Sequence, residues 1–243
     1  MSRVFPLLLL TLVLASCAPS VVNENTRANL REFGFEPLPL DERYIVAVPD
    51  FAVRAGSVRV GRVDLSQEGE EFYRELGSGV ADIFLTEAFR SGRFRITERS
   101  ELDKILREQN LALSGRIDPA TAADVGRITG AELIVLGSLT EFGITTTGGG
   151  GRVLGIFGGS TETVTARVTV DIRMVDAVTA EVLAIGVATS DVSQSNVRVD
   201  IGNVLRALRA GRSGTTIVDI AVRNAIRGAI VEAATTLPGK RTD

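Results

Sequence analysis

Few residues in this chain could do chemistry, and their types narrow the field. Histidine is absent and cysteine occurs once, at Cys17. Imidazole bases, imidazole zinc sites and Ser-His or Cys-His nucleophile pairs are therefore excluded. The densest carboxylates, Glu68, Glu70 and Glu71, stand just before an amphipathic run, where acids serve the N-terminal dipole of a helix. Glycine gathers at Gly148, Gly149, Gly150 and Gly151. That stretch contains neither Gly-x-x-x-x-Gly-Lys-Ser/Thr nor Gly-x-Gly-x-x-Gly and lies between strands, so it does not read as a phosphate loop. No serine occupies a Gly-x-Ser-x-Gly elbow. The expectation is a protein that is not an enzyme, with no cofactor and no metal site. With 27 basic residues against 30 acidic, a net charge of −3 and no polybasic block, nucleic acid is not an expected partner.

The chemistry at Cys17 is of another kind. Arg3 gives a positive start, and Val4 to Ala15 is apolar except for Pro6 and Thr11. This run of about 12 residues falls short of the roughly 20 that a spanning helix needs and reads as a signal segment. It ends Leu14-Ala15-Ser16-Cys17, which resembles the bacterial lipobox, in which the cysteine takes a diacylglyceryl thioether before cleavage and an amide-linked chain after it. Residues 1–16 are then a lipoprotein signal peptide, and their loss leaves 227 of the 243 residues. Ala18 in place of Asp is consistent with sorting to the outer membrane. Two or three acyl chains hold a protein firmly to lipid, whereas one is marginal.

Hydrophobic residues make up 44% of the chain and mean hydropathy is +0.20, enough for one large or two small domains with a buried core. Residues 17–43 are polar, carry Pro19, Pro37 and Pro39 and show no period, as in a tether or wrapping arm. Tyr44 to Val48 reads as a buried strand stopped by Pro49-Asp50. A loop rich in Gly, Arg and Ser runs from Ala52 to Gly69. Phe72, Leu76, Val80 and Ile83 recur at helical spacing until Ser91-Gly92, Phe94 to Thr97 is a strand, and Ser100 is the expected N-cap of a second helix. Asp118-Pro119 opens a third, closed by Gly130, and Ala131 to Leu139 is a strand. Strands alternating with helices over 44–137 indicate a sheet covered by helices.

The next part, 138–213, differs. Thr163, Thr165, Arg167, Thr169, Asp171 and Arg173 alternate with Val164, Ala166, Val168, Val170, Ile172 and Met174, a two-faced strand about twice the usual length. Glu181 to Asp191 returns after a turn at Asp176 to Ala180, and Val197, Val199 and Ile201 alternate with Asn196, Arg198 and Asp200. Arg206, Arg209 and Arg212 follow at a spacing of three, which is helical rather than extended. Residues 214–243 hold an alanine- and isoleucine-rich helix, Ile217 to Ala234, and a polar tail. Alternation of this kind has two readings: a half-buried antiparallel sheet, or membrane hairpins with the apolar face to lipid.

Gly137-Ser138, the run Gly148 to Gly158, Val168 to Val175 and Thr179-Ala180-Glu181-Val182-Leu183, together with Glu98 to Gln109 and the lipobox, resemble the CsgG family of curli-export lipoproteins over essentially the whole mature chain. Ala180 departs from the pattern, since the family often has Gly there. The resemblance implies an α+β fold: a periplasmic α/β domain, a mixed sheet with covering helices, extended by two amphipathic β-hairpins that form an oligomeric transmembrane β-barrel. The hairpins would lie within Ser138 to Asp171, with Gly148 to Gly151 near the tip, and within Leu183 to Ser213. Two hairpins are four strands, so a homo-oligomeric ring of nine would give 36 strands and a barrel about 70 Å across. It would be lipid-anchored in the outer membrane with its main domain in the periplasm, and would export unfolded polypeptide, a curli-like or other surface polymer subunit, with accessory secretion factors as further partners. The family narrows its channel with a loop after the first strand, here Ala52 to Glu68. Its Arg54, Ser57, Arg59, Arg62 and Asp64 are candidate pore residues, and stacked arginine rings would favour anions. The alternative is a monomeric, LpoB-like tethered periplasmic lipoprotein that binds and activates a cell-envelope partner and needs no hairpins.

Overall fold

The computed structural model describes residues 32–61, 68–98, 102–114, 128–149, 161–195, 200–211 and 217–240, with single positions at 65, 116 and 118. In chain order the elements are β1 (Tyr44–Ala47), β2 (Ala52–Val53), β3 (Val58–Val60), α1 (Glu70–Arg90), β4 (Phe94–Ile96), α2 (Leu102–Leu113), β5 (Leu133–Gly149), β6 (Thr161–Asp176), β7 (Val182–Ser195), α3 (Ile201–Arg209) and α4 (Ile217–Thr236). One seven-stranded sheet runs β4-β1-β5-β6-β7, with β2 and β3 also paired to β5. The pairs β1 with β4 and β5, and β2 and β3 with β5, are parallel. The long strands β5, β6 and β7 form an antiparallel meander. This is a mixed sheet with helices, as the α+β reading expects.

Period-two alternation decides which face is covered. On β6, Val164, Ala166, Val168, Val170, Ile172 and Met174 are each at most 2% exposed. On β5, Leu133, Val135 and Leu139 share that face, and a bulge between Leu139 and Glu141 resets the parity so that Phe142 and Ile144 join them. Helix α1 covers this face with Leu76, Val80, Ile83 and Phe84, and α4 with Val218, Ala221, Val222, Ala225, Ile226, Ala229 and Ile230, all in one core. The two helices are joined by charge. Glu87, fully buried on α1, accepts from Arg227 Nε at 2.6 Å and also meets Arg223, which pairs with Asp219 at 3.2 Å.

The last part of the arm is docked rather than free. Phe33 and Phe35 stack at 5.7 Å, Arg227 lies over Phe33 at 5.2 Å and Arg93 over Phe35 at 4.9 Å, and Leu38 N donates to Gly92 O at 3.0 Å. At the base of the sheet, Glu132 accepts from Ile45 N at 2.7 Å and pairs with Lys240 at 2.9 Å, tying the C-terminal tail to β1.

Two expectations change. The stretch Ala52 to Gly69 is not wholly a loop: it begins with β2, a 3-10 turn at Ala55–Ser57 and β3. Val58 and Val60 point into the core on either side of exposed Arg59, and that alternation is what makes β3 a strand. The second change concerns residues 200–211, which fall within the expected second hairpin, Leu183 to Ser213. Among the described residues of that span the structure has β7 and then helix α3, whose N-cap Asp200 accepts from Asn203 N at 3.1 Å. Val204, Leu205 and Leu208 form its buried face, and Arg206 and Arg209 belong to this helix, while Arg212 lies outside the described residues. Helix α3 lies against α1 at Gly79, where a Cβ would stand 1.6 Å from Leu208 O. Only a residue without a side chain permits that crossing. Arg209 Nε then donates to Glu75 at 2.6 Å and stacks over Phe72 at 5.3 Å. Ser100, residues 119–127 of the expected third helix and residues 196–199 lie outside the described residues. Among the described residues no helix is long and apolar enough to cross a membrane.

Candidate functional site on the open sheet face

The face of β5–β7 opposite the helices is open, and register organises it into rows. Thr163 and Ser195 hydroxyls meet at 3.0 Å, Thr165 and Ser193 at 2.8 Å, and Thr169 and Thr189 at 2.9 Å. Between the second and third of these rows lies a charged level. Arg167 Nε stands 3.4 Å from Glu141 Oε2 and 3.5 Å from Asp191 Oδ1, each side chain about half exposed. Closer to the base the same face carries Asp171 and Arg173 with the exposed Leu136, Ile185 and Val187.

Register also brings a residue of the expected pore segment here. Arg59 pairs with Gly143, Gly143 with Arg167, and Arg167 with Asp191, so four strands meet at one level. Arg59 is on this face because its neighbours Val58 and Val60 are on the other. Gly143 puts no side chain between the two arginines, whose backbones are about 10 Å apart at two strand spacings. Exposed pairs of this kind contribute at most about 1 kcal/mol. Their weight is in the field they present to whatever passes the face.

The other sequence-predicted residues are placed as follows. Arg54 is exposed after β2, and Ser57 Oγ donates to its carbonyl at 2.7 Å, closing the 3-10 turn. Gly148 and Gly149 form the last ladder pairs of β5, with Glu162 and Thr161. Cys17, Arg62, Asp64, Gly150 and Gly151 lie outside the described residues. Sequence reasoning did not single out Glu141, Arg167 or Asp191. The alternation around Arg167 was visible, but its partners are fixed only by the register of three strands, which begins at a bulge that periodicity does not reveal. Among the described residues no group of three or more His, Cys, Asp or Glu side chains could hold a metal ion.

At the turn between β6 and β7, Asp176 Oδ1 accepts from Thr179 N at 2.7 Å and Val178 N at 2.8 Å. These backbone donors, Thr179 first, hold its carboxyl below the usual aspartate value. The turn ends in Ala180 at φ +60°, the left-handed conformation in which glycine is at ease.

A family model described as "Curli production assembly/transport component CsgG" matches residues 27–243. Among solved structures, a hypothetical protein of Chlamydia trachomatis is similar at 13% identity and TM-score 0.42, covering 80% of this chain and 97% of that one. A lipoprotein of Neisseria meningitidis gives 10% identity and TM-score 0.32, covering 69% and 93%. The PelC dodecamer of Paraburkholderia phytofirmans gives 13% and 0.29, covering 82% and 94%. No curated protein gives a significant match.

Proposed function

Because the chain belongs to the CsgG family, we propose that it is an outer-membrane lipoprotein, anchored through Cys17, whose copies assemble into a ring that exports unfolded polypeptide without catalysis of its own. The observation that carries this reading is the meander of 17, 16 and 14 residues with one apolar and one polar face. At about 3.4 Å per residue such strands run on the order of 50 Å, and a tilted strand crosses a bilayer in about 9 to 11 residues. The half nearer β1 belongs to the domain. The half beyond the bulge at Leu139/Glu141 is long enough to cross a bilayer with hydroxyls and paired charges toward a lumen, a surface on which an extended chain finds little apolar area to adhere to. In this reading the covered apolar face exchanges protein for lipid on insertion, and α3, which follows β7, must rearrange if each copy is to give four strands.

One observation favours the second reading, a tethered periplasmic lipoprotein that docks on an envelope partner: Val164, Ala166 and Val168 are already buried within the single chain. The experiment that separates the two is extraction of the full-length protein from the outer-membrane fraction in mild detergent, followed by negative-stain imaging. Rings are expected for the channel subunit. A small monomer, released in soluble form by Cys17→Ser, supports the tethered module and overturns the channel.

A further inference from the structure

We infer that Arg59, Glu141, Arg167 and Asp191 act together as a charge belt that sorts the charged segments of the exported chain. This rests on the channel reading proposed above and deepens it: the substrate feature recognised is the pattern of acidic and basic residues in an extended polypeptide.

Three observations carry it. The four residues come from β3, β5, β6 and β7: register puts Arg59, Arg167 and Asp191 at one level of the open face, and Glu141, opposite Thr169 in the next row toward the base, reaches that level at Arg167. The arginine level lies between the hydroxyl pairs Thr165–Ser193 and Thr169–Thr189, and Glu141 accepts from Thr169 Oγ1 at 3.3 Å while facing Arg167. The charge is distributed unevenly across the level. Arg167 is held between two carboxylates, whereas Arg59 makes no such pair among the described residues and is exposed.

The formal charges cancel in number, two against two, but not in space. Arg59 and Asp191 stand three strand spacings apart, about 14 Å, beyond the roughly 8 to 10 Å over which salt leaves exposed charges in contact. Across the sheet the order is Arg59 on β3, Glu141 on β5, Arg167 on β6 and Asp191 on β7, so a passing chain meets alternating signs with a cation at one edge and a carboxylate at the other, repeated in every copy of a ring. Gly143 leaves the floor between the arginines open, so an extended backbone can approach the belt closely. Arg59 in this arrangement belongs to a belt of alternating sign, whose selectivity is a balance.

The test is the reversal potential of the detergent-extracted, full-length protein in planar bilayers under a potassium chloride gradient. Arg59→Gln is expected to move it toward cation preference, and Glu141→Gln with Asp191→Asn toward anion preference. Arg59→Gln with Asp191→Asn is expected to return it toward the parent value, and Thr165→Ser to leave it unmoved. Channels whose reversal potential is the same in all variants overturn the belt while leaving the channel standing. Absence of channels in the parent protein overturns the channel reading and the belt with it. All these side chains lie at the surface, so circular dichroism of the variants is expected to match the parent.

Discussion

Gly186 on β7 lies so close to α4 that a Cβ there would stand 2.0 Å from the Ala229 carbonyl oxygen. The contact is backbone against backbone, and alanines at 221, 225, 229 and 233 supply the small surface that allows it. Gly186→Ala forces α4 off the sheet, and overpacking of this kind costs about 1 to 3 kcal/mol. Thermal melting should report the loss, and an unchanged melting temperature would mean that α4 does not seat here.

Glu87 is the second point at which α4 is fixed. Glu87→Ala removes the buried carboxylate that Arg223 and Arg227 share. Breaking a buried pair from one side costs about 3 to 5 kcal/mol, whereas Glu87→Gln keeps hydrogen-bond acceptors and should cost less. Urea unfolding of the two variants tests the order, and equal losses would contradict it.

Ala180 pays a conformational penalty that glycine would not. Its left-handed φ of +60° costs an L-residue about 1 to 2 kcal/mol, against the roughly 0.5 to 1 kcal/mol by which glycine is entropically worse than alanine. Ala180→Gly should therefore stabilise the chain by a few tenths to about 1 kcal/mol. A lower melting temperature for this variant would place Ala180 in an ordinary conformation instead.

Glu132 gives the chain a dependence on acid. Burial works against its charge, but the Lys240 hydrogen bond, the Ile45 backbone donor and the charges of Lys240 and Arg95 outweigh burial and hold its carboxyl below the ordinary glutamate value of 4.5. A carboxyl lowered in the folded state contributes stability that is fully present above pH 4.5 and is lost as the pH falls through the lower folded value. Glu132→Gln should flatten that acid limb and loosen the tail held by Lys240. Melting curves with the same pH dependence in variant and parent would show that the pair carries none of it.

How far these features could be read in advance depends on the distance over which each is specified. The two faces of β6 are legible because Thr163 to Met174 alternates without a break. The terminal helix is legible from its own period, and α3 from the spacing of Arg206 and Arg209. The short strand β3 is hidden because Val58-Arg59-Val60 is too brief for a pattern and needs β5 beside it to be a strand at all. The docked arm is hidden for a similar reason. Phe33 and Phe35 form no element, and their partners Arg227 and Arg93 are far along the chain. The charge cluster of Arg59, Glu141, Arg167 and Asp191 depends on three pairings and one bulge, so the sequence shows its members but not their meeting.

The surroundings of the apolar face of β6 in the membrane-bound protein separate a channel subunit from a tethered module. With Cys17 acylated, single cysteines at Ala166→Cys and Thr165→Cys can be tested in outer-membrane vesicles with a water-soluble and a lipid-partitioning thiol reagent. The channel account predicts that Thr165→Cys reacts with the water-soluble reagent and Ala166→Cys with the lipid-partitioning one. If Ala166→Cys reacts with neither while Thr165→Cys still reacts from water, the face is packed against protein, and the account of a membrane-spanning sheet is contradicted.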